Sequence, residues 1–284
     1  MNAPEPKAVA YVLGHTPQEL ARLERQAAIF ERPTRALLER CGIGPGQRVL
    51  DLGCGAGDVT LLLGDFVGPA GHVIGVDRAP EAVATARGRA AGLGRHNVTF
   101  MVSTIDALDL PPVDAVVGRF VLMHQAAPVE VLARAARLVR PGGVVAMMES
   151  HLDALVQEWH SWPASAAYTT LLDVMLRTIK AAGGRTDMGL RLRGTFLDAG
   201  LPDPAVDVHG TLAGHDAARL CRYMADSLRS MADMAARLGV ATLTAAQLDA
   251  LERGLLDDAA RPGAVMNGPV VVTAWCRTAW CRTS

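Results

Sequence analysis

Three glycines and two acids open the chemistry. The stretch "VLDLGCGAGDV", Val49 to Val59, carries Gly53, Gly55 and Gly57 between Asp51 and Asp58. An apolar run ending in such a turn, with a helical pattern after it, directs backbone N–H groups at a bound anion or polar ligand. The dinucleotide spacing is G-x-G-x-x-G, which brings backbone close to a pyrophosphate. Here the spacing is G-x-G-x-G, and Asp58 holds the place of the third glycine. Two carboxylates beside a pyrophosphate repel it. They suit a ligand without phosphate that carries positive charge. S-adenosylmethionine (SAM), with its sulfonium, ammonium and single carboxylate, has that chemistry. Asp77 closes the next apolar run, "HVIGVD", where an acid accepts hydrogen bonds from ribose hydroxyls.

The elements that position these residues follow from periodicity. "RVLDLG", "HVIGVD", "NVTFMV", "VDAVVGRFVL" and "VVAMMES" read as buried strands. "DVTLLLGDFV", "PEAVATARGRAAGL" and "PVEVLARAARLV" read as helices between them. Single helices alternating with apolar strands predict a parallel, doubly wound sheet. Residues 17–40 show helical spacing interrupted near Pro33. Residues 152–183 and about 215–260 read as two helical insertions, "GLRLRGTFLDAGL" as a helix, and "DPAVDVHG" and "NGPVVVTAWCR" as closing strands. "TAWCR" at 273–277 repeats at 278–282. A short tandem duplication, with no sheet position left for the second copy, is expected.

The segment "RVLDLGCGAGDVTLLLGDFVGPAGHVIGVD…VDAVVGRFVLMH…LVRPGGVVAMMES" resembles the core of class I SAM-dependent methyltransferases, over roughly residues 40–150. The resemblance implies an α/β Rossmann-like fold: a doubly wound sheet of seven mainly parallel strands, the last antiparallel, with helical insertions as a lid. The expected organisation is an N-terminal helical cap (1–40), a SAM-binding core (41–150), an acceptor lid (151–187) and a second insertion (211–261). Closing elements occupy 188–210 and 262–277, and the duplicated tail 278–284. By the same resemblance Asp51, Gly53, Gly55 and Gly57 cradle the methionine part of SAM. Asp77 takes the ribose, Arg78 packs near the adenine, and Arg119 and Phe120 line the methionine side. The family's acid after the third strand is replaced by Thr104. Either Thr104 or Asp106 then holds the adenine amino group, with Ile105 packed on the ring. Tyr11 and Gln26 are candidates to close over the methionine end, with helix packing as their other reading.

The acceptor is narrowed by absences. The acid-or-Asn-Pro-Pro-aromatic run of nucleic-acid N-methylation does not follow the fourth strand, which continues "GRFVLMH". No Pro-Cys nucleophile stands there, and converging cysteines for arsenic are not suggested. A small organic acceptor, methylated on O, N or C in a step of biosynthesis, is the expectation. A nicotinamide oxidoreductase and a SAM-binding protein without methyl transfer are the alternatives. His124 and Glu149 are the candidate catalytic residues, as base or acceptor contacts; a capping histidine and an arginine-paired glutamate are the other readings.

Composition bounds the rest. A formal net charge of −1 over 284 residues lacks the basic excess of a nucleic-acid binder. No apolar run reaches the ~18 residues of a membrane span, and residues 1–15 have no apolar leader core. Five cysteines, an odd number with scattered spacing, suggest reduced thiols in a cytoplasm. Cys276 and Cys281 lack the spacing of a metal pair, so no metal is expected. A homodimer is an open expectation.

Overall fold

The computed structural model describes residues 17–155 and 160–279. Its centre is a seven-stranded sheet. The strands are β1 (Arg48–Leu52), β2 (His72–Asp77), β3 (Val98–Val102), β4 (Val113–Arg119), β5 (Val139–His151), β7 (Ala205–His209) and β10 (Val270–Arg277). Their order is β3-β2-β1-β4-β5-β10-β7. β1 pairs in parallel with β2 and β4, the two flanks on which the chain reverses its winding. β10 is antiparallel to both β5 and β7. The sheet is therefore of the expected kind, with the last strand alone reversed.

Local sequence explains the central strands. β1 and β2 are buried almost throughout, with Val49, Leu50 and Leu52 on one and Val73, Ile74 and Val76 on the other, as strands covered on both faces must be. α2 (Asp58–Val67) and α3 (Pro80–Gly92) follow them, α3 beginning at a proline whose missing N–H costs nothing in a first turn. α4 (Pro128–Arg137) begins the same way. Gly75 has a packing reason: a Cβ there would meet Thr60 Oγ1 at 2.6 Å. Its absence leaves Thr60 the room to reach Asp51 on the neighbouring strand.

The periphery departs from the periodicity reading. α1 (Pro17–Arg40) runs through Pro33 without a break. Phe30, Leu37 and Leu38 on either side of that proline are buried in the core, and Thr34 Oγ1 donates to the Phe30 carbonyl at 2.6 Å. Burial of that face outweighs the one hydrogen bond that Pro33 cannot donate. The stretch expected as one helix over 152–183 holds instead a 3-10 turn (Leu152–Leu155), the two-residue strand β6 (Ser161–Trp162) and α5 (Ala166–Ala181). After α6 (Met188–Asp198) and β7, β8 (Leu212–Ala213) and β9 (Val265–Asn267) join β6 in a second, three-stranded sheet of order β6-β9-β8. Residues assigned to three separate regions thus meet in one small sheet, a long-range pairing that no local pattern announces.

The second insertion is two helices, α7 (Ala217–Arg237) and α8 (Ala245–Ala259). Gly239, at φ 67°, turns the chain after α7, and Thr244 with Gln247 makes a reciprocal capping box at the start of α8. Thr278 also departs from expectation. It donates its N–H to Gly143 O at 2.8 Å and its hydroxyl to Arg140 O at 2.8 Å, and so continues the pairing of β10 with β5 rather than starting a dispensable tail. Trp280 and Cys281 lie outside the described residues. Among the described residues, no helix is long and apolar enough to cross a membrane.

Candidate functional site

A cavity of about 340 Å³ lies at the C-terminal ends of β1, β2 and β4, where the winding reverses. Asp51, Gly53 and Gly55 line it from the β1 turn, Asp77 and Arg78 from the β2 end, and Thr104 and Ile105 from beyond β3. Arg119, Phe120 and His124 line it from beyond β4, and Gln26 from α1. Gly57 and Glu149 are not among its lining residues. Tyr11 falls outside the described residues.

The β1 turn is shaped by left-handed backbone. Gly53, Gly55 and Gly57 have φ of 69°, 52° and 88°, values that side chains disfavour. Gly57 is packed rather than presented, since a Cβ there would sit 3.0 Å from Phe100 and 3.1 Å from Ala86. Asp77 binds the turn to its own strand end. Gly55 N–H donates to its Oδ2 at 2.9 Å, and Ala79 N–H to its Oδ1 at 2.9 Å. Each oxygen retains a second lone pair, and the residue lines the cavity. That is what a pair of ribose hydroxyls requires.

Asp51 is 1% exposed and accepts the Thr60 hydroxyl at 2.6 Å. Burial pushes its carboxyl up to about 7, against the pull of Thr60 and of the Arg119 guanidinium. A buried acid so raised gains from a cation brought beside it. Asp58 already has one: Arg89 reaches it at 2.7 Å and also bonds the Ala56 carbonyl at 2.6 Å. Asp106, the alternative adenine contact, is paired with Arg134. Of the two candidates, Thr104 is the one without such an ion pair.

Beyond β4 the chain turns sharply. Phe120 has φ 57°, the one non-glycine residue with positive φ among the described residues. Its ring packs edge-on against Phe30 of α1, with centroids 5.0 Å apart, and the Arg119 guanidinium lies 6.0 Å from its centre. A 3-10 turn (Leu122–His124) then carries His124. Burial, reinforced by Arg78 and Arg22, lowers His124 to about 4. The imidazole is therefore neutral at ordinary pH, and it is a weak base.

Glu149 is fully buried at the end of β5. Its Oε1 accepts the N–H groups of Val121 at 3.0 Å and Leu122 at 2.7 Å, and its Oε2 that of Met123 at 3.2 Å. The expected pocket contact and the alternative arginine partner both give way to a brace on backbone.

The sequence reading missed Arg22, which is 2% exposed, lines the cavity and donates to Gln26 Oε1 at 2.7 Å. The two stand four residues apart on one helix face, and that spacing was the available signal. The expected lid also differs. Among the described residues, no lining residue lies beyond Val131. α7 packs on α1, through Tyr223 against Phe30 at 6.0 Å and Asp226 against Arg25 at 3.0 Å.

Residues 43–188 match a family model described as a methyltransferase domain. An arsenite methyltransferase of Halobacterium salinarum is 38% identical over 109 residues, 38% of this chain and 28% of that protein. A 2-phytyl-1,4-naphtoquinone methyltransferase of Synechococcus elongatus is 38% identical over 111 residues, 38% of this chain and 47% of its own length. The chain thus spans half or less of these two curated relatives. In fold it is similar to Haemonchus contortus phosphoethanolamine N-methyltransferase 2, solved with SAM: TM-score 0.55, 18% identity, 91% of this chain and 57% of that one. A family match over half of the sequence, falling on the elements that build the cavity, makes this chain a member of the class I SAM-dependent methyltransferases, with SAM as its methyl donor.

Proposed function

We propose that the enzyme methylates an O, N or C atom of a small organic acceptor seated against Phe120 and His124, and releases S-adenosylhomocysteine. One observation carries this reading. The glycine turn, Asp77, Phe120 and His124 share a single cavity, roofed on one side by Arg22, Leu23 and Gln26 of α1. A cavity of this size, bounded by helix as well as by strand ends, suits a small molecule rather than a duplex or a protein surface.

SAM, when bound, supplies an activated methyl group. The chain's own residues hold and orient. Asp51 meets positive charge at the methionine end, Gly53 and Gly55 allow close backbone approach, and Asp77 takes the ribose. Arg78, Thr104 and Ile105 flank the adenine, and Arg119, Phe120 and Gln26 bound the methionine side. Much of the rate then comes from alignment of the acceptor with the sulfonium. His124, neutral and weakly basic, orients the acceptor and takes a proton only from a group acidified as it reacts.

The arsenite relative does not extend its acceptor to this chain. Of the described cysteines Cys41, Cys54, Cys221 and Cys276, all buried, only Cys54 lines the cavity. Burial raises the Cys54 thiol far from its thiolate form. The expectation that converging thiolates are lacking is kept in this proposal.

Calorimetry with SAM, S-adenosylhomocysteine and NADH is the first test. Binding of the first two at about −8 kcal/mol, in the micromolar range, is expected, with none of NADH. Methyl-labelled SAM is then offered with pooled small metabolites, RNA or protein. Label in the small-molecule fraction supports the proposal; label only in RNA or protein overturns it.

A further inference from the structure

The turn after β4 contains no glycine, yet it must present two cavity residues in a left-handed bend. Phe120 at φ 57° stores strain that the surroundings must hold. Four successive N–H groups supply the hold. Phe120 donates to the Met148 carbonyl at 2.8 Å, and Val121, Leu122 and Met123 donate to Glu149. On the far side the Arg185 N–H donates to the Met123 carbonyl at 2.9 Å.

Two donors on Oε1 and one on Oε2 are met best by a group that accepts at both ends and donates at neither. An ionised carboxylate is such a group, and an amide is not. Among the described residues, no Arg, Lys or His forms an ion pair with Glu149, and no neighbouring charge contributes to its titration. A buried carboxylate held by backbone dipoles alone is costly to keep. That cost is poor design for stability and makes sense for a turn whose shape matters.

We propose that Glu149 is a positioning residue of the methyl-transfer site: through the N–H groups of Val121, Leu122 and Met123 it holds the turn that presents Phe120 and His124 to the cavity. Glu149 touches neither cofactor nor acceptor. The assignment rests on the methyltransferase reading for what the cavity does, and on hydrogen bonds alone for how the turn is held.

Burial raises this carboxyl to about 7, while its three N–H partners pull it down. Acid therefore places an O–H donor among N–H donors. The titratable and charged groups nearest along the elements that meet it are Arg119 before the turn, His124 at its end, His151 two residues on along β5 and Arg185, whose N–H bonds Met123. His124 is lowered to about 4 and stays neutral through that range.

The test uses the full chain and needs no acceptor. Backbone amide resonances are followed from about pH 8 to about pH 6, either side of the raised carboxyl. Those of Val121, Leu122 and Met123 are expected to move together in the wild type and to stay still in Glu149→Gln. At about pH 8 the variant should bind S-adenosylhomocysteine about tenfold more weakly, with a smaller proportional loss of melting temperature. Amide resonances of Val121, Leu122 and Met123 that are the same in Glu149→Gln as in the wild type at about pH 8 overturn the proposal. So does a variant that melts lower but binds S-adenosylhomocysteine as the wild type does, because Glu149 then serves stability alone. If Glu149→Gln does not fold, Asp51→Asn removes the other raised acid. That chain must still lose S-adenosylhomocysteine affinity with acid, and a flat curve overturns the idea. A wild type that binds no S-adenosylhomocysteine sinks the cofactor site instead, and the amide comparison alone then decides on Glu149.

Discussion

The turns after β1 and after β4 stand side by side at one cavity and are built in opposite ways. The first bends at glycines with φ of 69°, 52° and 88°, and its shape is written in five consecutive residues. The second bends at Phe120 and is held by Glu149 from the next strand. The two even touch: a Cβ on Gly53 would lie 2.7 Å from Val121 Cγ2. Backbone freedom shapes a loop that a ligand must approach closely. A distant acceptor shapes a loop that must carry side chains.

The strongest way to break the contrast is Gly53→Ala. It strains a left-handed residue and drives a methyl into Val121. SAM affinity should fall by about 100-fold or more, corresponding to roughly 3 kcal/mol of clash and strain. Gly53→Ala with Val121→Ala should recover part of that loss and not all of it, because the φ penalty remains. Full recovery in calorimetry would show that only the contact between the turns matters.

His124→Ala comes next. Turnover should drop about 100-fold, the low end for a positioned acid–base group, with SAM affinity nearly unchanged. With the imidazole lowered to about 4, protonation of His124 should not cut the rate until the pH approaches that value. This revises the reference value of about 6.5 that the residue type alone suggests. A rate limb near 6.5 that disappears in the variant would show a more exposed histidine.

Asp77→Ala should weaken SAM by about 1–3 kcal/mol, the scale of hydrogen bonds to a charged group, and also free the Gly55 N–H. Unchanged affinity would make Asp77 a turn residue only.

Asp51 predicts a pH dependence with a definite sign. Its folded value of about 7 lies above the ordinary 3.8. Its contribution to stability is present below about pH 4 and is lost as the pH rises towards about 7. Glu149 titrates in the same sense, so the comparison is wild type against Asp51→Asn, whose melting temperature should vary less across that window. SAM, bringing a cation to the ionised form, should bind more weakly as the pH falls below about 7. A SAM affinity independent of pH would place the ammonium elsewhere.

The smallest effect is expected at the C-terminus. A chain ending at Ala279 keeps the Thr278 bonds to Arg140 and Gly143 and should melt as the full chain does. A chain ending at Arg277 should melt lower. Equal melting of the two would show that Thr278 contributes nothing.

How much of this was legible depended on the range of the forces involved. β1 to β5, α2 to α4 and the cavity acids lie in short segments where apolar period, glycine spacing and acid position all act locally. The capping box at Thr244 and Gln247 was equally local, and overlooking it fused α7 with α8. The run through Pro33 was not local, since it depends on what buries Phe30 and Leu37. Nor was the small sheet of β6, β8 and β9, whose members come from positions about fifty to a hundred residues apart and pair over two residues each.

Residue order was enough for the glycine turn, the acid at the end of β2 and the alternating β/α plan, because each rests on neighbours within a few positions along the chain. Tertiary structure alone assigned the rest. It took Glu149 out of the cavity and gave it three backbone donors, since only packing decides which N–H groups a buried carboxylate can reach. It lowered His124 and raised Asp51, because desolvation is a property of the enclosing fold and not of a residue type. It also packed α7 on α1, where Tyr223 meets the Phe30 ring and Asp226 pairs with Arg25, contacts between segments about two hundred residues apart.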